Sequence, residues 1–388
     1  MTAPAAAQHA AFKRTPLYDL HVASGARMGV FAGHEMPIQY PLGIMKEHLH
    51  ARAHAVLFDV SHMGQIALRP HNGTLADIAV ALERLVPADV VGLATGRQRY
   101  AFFTNAQGGV VDDLMIANCG DRFVLVVNAS RKAIDEQSLR TALARVCAVD
   151  VLDDRALLAL QGPEAESVLV RFAPDIAAMR FMDARAIMIA GNACVVTRSG
   201  YTGEDGFEIS VAAADAAMLA RVLLDNTCVS LAGLGARDSL RIEAGLCLYG
   251  SDLDENTTPV EAALEWAIPK TRRRAGDRAG GFPGAEIVLS QLDQGPQRRR
   301  VGLRAPGSMP VRGATLLFAA PSAPDPVGRV TSGGFGPSVG GPVAMGYLPR
   351  ALSALGTRVF AEVRGSRVPV DVTDLPFIPH RYRRIHQE

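Results

Sequence analysis

Cysteine, excess charge and long apolar runs are what this chain is short of, and each shortage removes a class of function. Its five cysteines, Cys119, Cys147, Cys194, Cys228 and Cys247, are odd in number, widely spaced and never arranged as C-x-x-C. That argues against a disulfide framework or a cysteine metal site and fits a reducing compartment. Lys and Arg number 40 against 39 Asp and Glu, a formal charge of +1, so no overall field recommends nucleic acid or an anionic membrane as the partner. No apolar run reaches the roughly 18 residues that a membrane-spanning helix requires. The Ala-rich start, Met1 to His9, carries neither the basic and apolar regions of a secretory signal nor the Arg-rich amphipathic character of a transit peptide. A short disordered tail and a cytoplasmic location are expected. No repeat with a period of about 20 to 50 residues is visible, which removes solenoids and propellers.

What is present is a globular balance: 48% hydrophobic and 20% charged residues over 388 positions, material for two or three domains. Helical patterns cover Leu42 to Phe58, Thr74 to Leu85, Lys132 to Val146 and Ala212 to Leu224. Strand patterns cover Gly64 to Leu68, Tyr100 to Thr104, Val110 to Ala117, Phe123 to Asn128, Leu157 to Gln161 and Ala193 to Arg198. Asn105, Gly108 and Gly109 read as a hairpin turn. Helices and strands do not alternate strictly, so the reading is α+β and not a doubly wound parallel sheet. Thr258, Pro259 and Glu261 form a capping-box signature that predicts a helix over Val260 to Ile268. A basic, glycine-rich stretch from Pro269 to Gly284 reads as a linker, and short β-like runs from Arg299 onward as a β domain.

Three segments carry groups suited to chemistry. Asp112 and Asp113 follow a Gly-Gly turn inside apolar text. Neighbours on a strand point to opposite faces, so one at most faces a given pocket. A carboxylate forced into apolar surroundings gains acid/base usefulness, and the bland alternative is a pair capping the turn at a solvated edge. The second segment is Tyr201 to Glu208, in which Glu208 begins a strand beside an aromatic and could accept two parallel hydrogen bonds from an amidine-like heterocycle edge; the alternative is an exposed turn. The third is the helix Leu234 to Gly245, with Arg237 and Arg241 one turn apart and Asp238 available to Arg241. Arg237 could bind a carboxylate bidentately or serve a structural ion pair. His50 and His54 read as helix surface without a third ligand, His62 as packing, and the glycines from Gly333 to Gly341 as β-turn residues. The runs Arg272 to Arg274 and Arg298 to Arg300 read as a solvated face or as a landing site for an acidic partner.

From Thr15 onward the chain resembles the aminomethyltransferase (glycine cleavage system T-protein) family. The likeness rests on F-D-V-S-H-M-G at Phe58 to Gly64, N-A-Q-G-G-V-V-D-D-L at Asn105 to Leu114, L-A-L-Q-G-P at Leu158 to Pro163 and S-G-Y-T-G-E-D-G-F-E-I-S at Ser199 to Ser210. Further on stand A-R-D-S-L-R-I-E-A-G-L-C-L-Y at Ala236 to Tyr249, T-T-P-V-E-A at Thr257 to Ala262, V-T-S-G-G-F at Val330 to Phe335, A-M-G-Y at Ala344 to Tyr347 and P-F-I-P-H-R-Y at Pro376 to Tyr382. The resemblance implies a three-domain, cloverleaf-like α+β folate-binding fold. Residues 1–56 and 153–270 would form a discontinuous first domain, 57–152 an inserted second domain carrying Asp113, 271–284 a basic linker and 285–388 a C-terminal β-barrel domain.

It also implies that Asp113 is the catalytic carboxylate, that Glu208 grips the pterin ring, and that Arg237 and Tyr382 complete the pocket, with Asn128 and Tyr201 as lesser contributors. The implied reaction moves a methylene from an aminomethyl group, carried on the lipoyl arm of the H-protein, to tetrahydrofolate, with ammonia released and no metal required. A folate-dependent demethylase of the same superfamily is the nearest rival. A non-catalytic folate-binding protein of iron–sulfur assembly is another, but its K-G-C-Y-x-G-Q-E signature is absent, Asn256 to Glu261 reading N-T-T-P-V-E.

Overall fold

The computed structural model describes residues 12–384, so the tail expected at Met1 to His9 lies outside the described residues. Three principal sheets organise them. A six-stranded sheet runs in the order Ala184–Ile189, Asn192–Thr197, Gly206–Ala212, Arg155–Gln161, Ala55–Asp59, Val229–Leu231. At its middle the apolar stretches 156–160 and 55–58 are buried on both faces, successive side chains pointing to opposite sides. Leu57, Leu158 and Leu160 pack with Leu219 and Leu223 of the helix Ala213–Leu224. Val56, Phe58, Leu157 and Ala159 pack on the opposite side with Ala236 and Leu240 of the helix Leu234–Glu243 and with Ala51.

Between the strands Ala55–Asp59 and Arg155–Gln161 the chain builds a second, five-stranded antiparallel sheet, ordered Arg97–Thr104, Val110–Asn118, Phe123–Val127, Gly64–Pro70, Cys147–Val151. Ile66, Phe103, Leu114, Ile116 and Leu125 form its core with Ile78 and Leu139 of the covering helices Leu75–Leu82 and Lys132–Leu143. The Asn105 hairpin is present: the Asn105 Oδ1 accepts the N–H groups of Gln107 and Gly109 at 3.0 and 2.9 Å, and Gly108 sits at φ +77°, where glycine alone is unstrained. From Arg298 to Thr373 six strands close into a barrel, so the α+β architecture with a C-terminal barrel holds. Among the described residues no helix is long and apolar enough to cross a membrane.

Four local expectations fail for physical reasons. The helix predicted over Leu42 to Phe58 covers Ile44–Ala53 only, and Ala55–Asp59 joins the sheet because all five of its residues are buried. The helix predicted from Val260 does not form. Its capping box does: Thr258 N–H donates to Glu261 at 3.0 Å and Glu261 N–H to the Thr258 hydroxyl at 3.1 Å. The carbonyls needed to propagate it are taken by the barrel, with Glu261 C=O accepting from Arg300 N–H at 2.7 Å and Ala262 C=O from the Arg300 guanidinium at 2.8 Å; Ala263 then turns to φ +58° and only a 3-10 turn, Glu265–Ala267, follows.

The basic runs are a solvated face only in part: Arg274 is exposed and pairs with Asp293 at 2.9 Å. Arg272, by contrast, is buried against Glu83 at 3.1 Å, Arg298 pairs with Glu261 at 3.1 Å, Arg299 with Glu265 at 2.6 Å, and Arg300 is buried. Finally, Gly333 lies within a barrel strand and not at a turn, and a Cβ there would stand 2.0 Å from the Val311 carbonyl oxygen.

Candidate active site

A cavity of about 1290 Å³ opens where the two open sheets, the barrel and the returning C-terminal segment meet. A pocket for one small ligand spans roughly 300–1,000 Å³, so this one has room for two reactants. Asp113, Asn128, Tyr201, Glu208, Arg237 and Tyr382 all line it. Six residues separated by up to 269 positions in sequence, 113 to 382, thus converge on one space.

The first wall is the strand Val110–Asn118. Asp113 faces the cavity, and its carboxylate accepts the Tyr100 hydroxyl at 3.0 Å and the Asn128 amide at 2.8 Å. Burial, then the negative charge of Asp112 beside it, pushes Asp113 up to about 7. Asp112 points away from the cavity, fully buried, and accepts the Asn128 backbone N–H at 3.0 Å and its side-chain amide at 2.9 Å. The opposite-faces argument is therefore sound, but the solvated-edge alternative is not what the sequence adopts. Tyr100 stacks against Trp266, whose ring is 5.5 Å away and mostly exposed at the cavity rim.

Across the cavity, Glu208 stands on the strand Gly206–Ala212, with the Ser199 hydroxyl at 3.3 Å as its hydrogen-bond donor. Burial raises its pKa, while the Arg237 charge opposes the rise. Arg237 projects from the first turn of the helix Leu234–Glu243 with its guanidinium 4.8 Å from the Tyr201 ring centre. Among the described residues its buried Nη1 has no hydrogen-bond partner, and burial lowers its pKa against the pull of Glu208 and Tyr201. Arg241, one turn on, is the structural member of the pair: it binds Asp238 at 2.8 Å and Asp252 at 2.6 Å. Tyr201 offers the cavity its ring face, because its hydroxyl donates to the Cys247 carbonyl.

The third wall is the C-terminal segment. It is tied down by His380 on the Ala244 carbonyl at 2.8 Å and by Arg381 N–H on the Gly203 carbonyl at 2.8 Å. Tyr382 then stacks on Phe181 with centroids 4.1 Å apart and planes 5° apart, and burial pushes its hydroxyl up to about 12.

Sequence reasoning missed Tyr100, Trp266, Phe181, Ser199 and His62 as cavity residues. One of these had a legible signal. With the hairpin registered at Asn105, Phe102 pairs with Asp113, which makes Tyr100 the diagonal neighbour on the same face. His62 is buried edge-on to Phe31 at 5.5 Å, and burial holds its ring neutral by lowering its pKa to about 3.

A second charged cluster lies on the far end of the same helix. Glu243 accepts His48 at 3.0 Å, Arg52 at 2.9 Å and the Ser338 N–H at 2.8 Å, and its own backbone carbonyl accepts Phe377 N–H at 2.9 Å. Glu204 binds Arg52 at 2.7 Å and Arg381 at 2.5 Å. The cluster therefore ties the barrel hairpin and the C-terminal segment to the first sheet's helices.

The family model described as the GCVT N-terminal domain matches residues 17–272, and the model described as the glycine cleavage T-protein C-terminal barrel domain matches residues 298–378. Similar curated proteins include the mitochondrial aminomethyltransferase of Dictyostelium discoideum, 44% identical over 96% of this chain and 94% of its own length. The mitochondrial aminomethyltransferase of Homo sapiens is 43% identical over 95% of this chain and 91% of its own. The crystal structure of the glycine cleavage system aminomethyltransferase T from Bartonella henselae superposes with a TM-score of 0.88 at 44% identity, covering 96% of this chain and all of that one. These relatives also correct the cytoplasmic expectation. The Dictyostelium, Flaveria trinervia and human proteins are all named mitochondrial, so cysteine usage and the character of the first residues do not place this chain in the cytoplasm.

Proposed function

The chain belongs to the glycine cleavage T-protein family and is an aminomethyltransferase, and on that premise we propose that its central cavity holds tetrahydrofolate and a lipoyl-borne aminomethyl group together, with Asp113 as the reacting carboxylate. Tetrahydrofolate supplies the nucleophilic nitrogens and carries the methylene away. Glu208, with one hydroxyl at 3.3 Å for company, has acceptor capacity left for two parallel N–H groups of a pterin edge. The spare Nη1 of Arg237 is a donor waiting for a ligand oxygen, since a buried donor left unmade is costly. The single observation that carries this reading is the placing of an arginine with an unpartnered nitrogen and a nearly unpartnered carboxylate in the cavity that also contains Asp113.

In the reaction the carrier's S–CH₂ and CH₂–N bonds break and two bonds from folate nitrogens to the methylene form. The two hydrogens leaving those nitrogens end on the sulfur and on the departing ammonia. Asp113, poised to about 7, accepts a proton from the attacking nitrogen and passes it on, the task for which a pKa near the working pH is best suited. The Tyr100 hydroxyl and Asn128 amide hold its carboxylate in place, and the walls of the cavity orient the two reactants. The lipoylated H-protein is the proposed carrier, and the discontinuous domain division at residues 56, 152 and 270 is the proposed frame for the two halves of the cavity. Arg272 and Arg300 are buried and paired inside the molecule, so a landing site for an acidic carrier on those runs would fall to Arg274, Arg298 and Arg299, whose side chains stay partly exposed.

The test is methylenetetrahydrofolate and ammonia formation from aminomethyl-lipoylated carrier, alongside folate binding, in wild type and Asp113→Asn. Turnover should fall by about 10²–10⁴-fold while folate still binds. Full turnover in Asp113→Asn would remove Asp113 from the reaction.

A further inference from the structure

Behind Asp113 stand two carboxyls that the reaction as described does not use. Asp112 and Asp135, the latter on the helix Lys132–Leu143, are both fully buried. Among the described residues neither oxygen of Asp135 meets an N–H or hydroxyl donor. What stands within hydrogen-bonding reach is the Asp112 carboxyl. An ionised Asp135 would thus be a buried anion facing another anion with no donor at all, a cost that a shared proton removes.

The consistent arrangement is a neutral Asp135 whose O–H donates to an ionised Asp112. Asp112 then accepts three hydrogens: that one, the Asn128 backbone N–H at 3.0 Å and one amide hydrogen of Asn128 at 2.9 Å. The other amide hydrogen of Asn128 is left for Asp113, whose Oδ1 and backbone oxygen lie at 2.8 and 3.0 Å. Rotating that amide by half a turn would set its oxygen against two carboxylates, so Asp112 fixes which way Asn128 faces.

From this geometry we infer that Asp112 and Asp135 work as one proton-sharing pair, a positioning device that orients Asn128 on Asp113 and keeps a single negative charge directly behind it. The inference rests on the assignment of Asp113 as the reacting carboxylate. The groups that bear on Asp113 are Tyr100 from the neighbouring strand, Asp112 from its own, Tyr201 and Cys247 across the cavity, and Asp135 from the covering helix. Arg131, at the start of that helix, bears on Asp135. Of these, Asp112 is the one fixed charge adjacent to Asp113. Burial together with the Asp112 charge pushes Asp135 up to about 9, in keeping with a neutral acid at physiological pH.

Difference infrared spectroscopy on the whole protein reads the pair directly. At neutral pH wild type should show a protonated-carboxyl C=O stretch that disappears in Asp135→Asn; a stretch unchanged by that substitution overturns the pair, whatever Asp113 does. The pH dependence of kcat/KM reads the consequence. Asp112→Asn removes the charge behind Asp113, so the acid limb should move to lower pH by on the order of one unit. An unmoved limb in a folded Asp112→Asn protein overturns the inference. Asp135→Leu should lower kcat with KM for folate in place, and Asp135→Asn, whose amide can still donate to Asp112, should restore most of the loss. Equal loss in both Asp135 variants also counts against the pair. Should Asp113→Asn prove fully active, the assignment of Asp113 fails, and the infrared stretch still decides whether Asp112 and Asp135 share a proton.

Discussion

One helix, Leu234–Glu243, carries two charges with opposite fates. Arg237 near its start faces the cavity with a nitrogen that has no partner among the described residues. Glu243 at its end is surrounded by His48, Arg52 and the N–H of Ser338. The effect on proton affinity differs to match. Burial raises Glu208, across from Arg237, and Arg237 only opposes the rise. Burial would raise Glu243 as well, but His48, Ser338 and Arg52 carry it down to about 2. Burial alone therefore does not mark a functional charge; what marks it is burial without partners, because folding completes the hydrogen bonds of a structural group and leaves those of a binding group for the ligand.

The largest effect that would sharpen this contrast is on stability. Removing Glu243 as Glu243→Ala leaves buried His48 without its carboxylate and Arg52 with that of Glu204 alone, and breaking a buried pair in this way costs about 3–5 kcal/mol. Chemical denaturation should show that loss. The mirror substitution, Glu208→Gln, breaks no comparable network and should move stability by less than about 1 kcal/mol. It should instead weaken folate binding by roughly 10–100-fold, the worth of charge-assisted hydrogen bonds to a buried acceptor, measured by calorimetric titration. Equal stability losses in the two variants would erase the distinction.

How much of this was readable beforehand differs between the two regions. Some of the cavity side chains were legible: the strand period separated Asp112 from Asp113, and the i, i+4 spacing exposed Arg237 and Arg241, with Asp238 correctly placed beside Arg241. Spacing left open whether Arg237 binds a ligand or a structural partner, and only the resemblance named it for the pocket; the Asp252 that completes Arg241 lies eleven residues away on a loop, where no local pattern reveals it. The paired cluster was invisible for the same reason. His48 and Glu243 are 195 residues apart and Ser338 arrives from a barrel hairpin, so no local pattern joins them. The Val260 helix shows the converse error: its capping box formed as expected, and two hydrogen bonds from Arg300 to the Glu261 and Ala262 carbonyls overruled the helix.

A smaller effect separates the regions by pH. Glu243 is depressed to about 2 in the folded chain against about 4.3 when unfolded, so its contribution is present above that ordinary value and is lost as pH falls toward 2. Asp135, raised to about 9, runs the other way: the folded chain holds a proton that the unfolded chain releases above about 4, so stability declines as pH rises from there through 9. Asp135→Asn should flatten the decline between about pH 4 and 9 and leave the loss below about 4 alone, and Glu243→Gln should do the reverse. Unfolding midpoints measured across the pH range check both, and a decline between about pH 4 and 9 that Asp135→Asn leaves undiminished would place its origin elsewhere.

The smallest expected effect is the most discriminating, because its sign is opposite to that of removing Asp112. Tyr100 donates its hydroxyl to Asp113 at 3.0 Å, which favours the carboxylate and pulls its pKa down against burial and Asp112. Tyr100→Phe keeps the ring that stacks on Trp266 at 5.5 Å and deletes only the donor. A hydrogen bond of this kind is worth about 0.5–1.5 kcal/mol net, so the acid limb of kcat/KM should rise by up to about one pH unit, where Asp112→Asn lowers it. Two substitutions of neighbours on opposite sides of one carboxylate would then move a single titration in opposite directions. A shift of the same sign in both would mean that the limb reports some group other than Asp113.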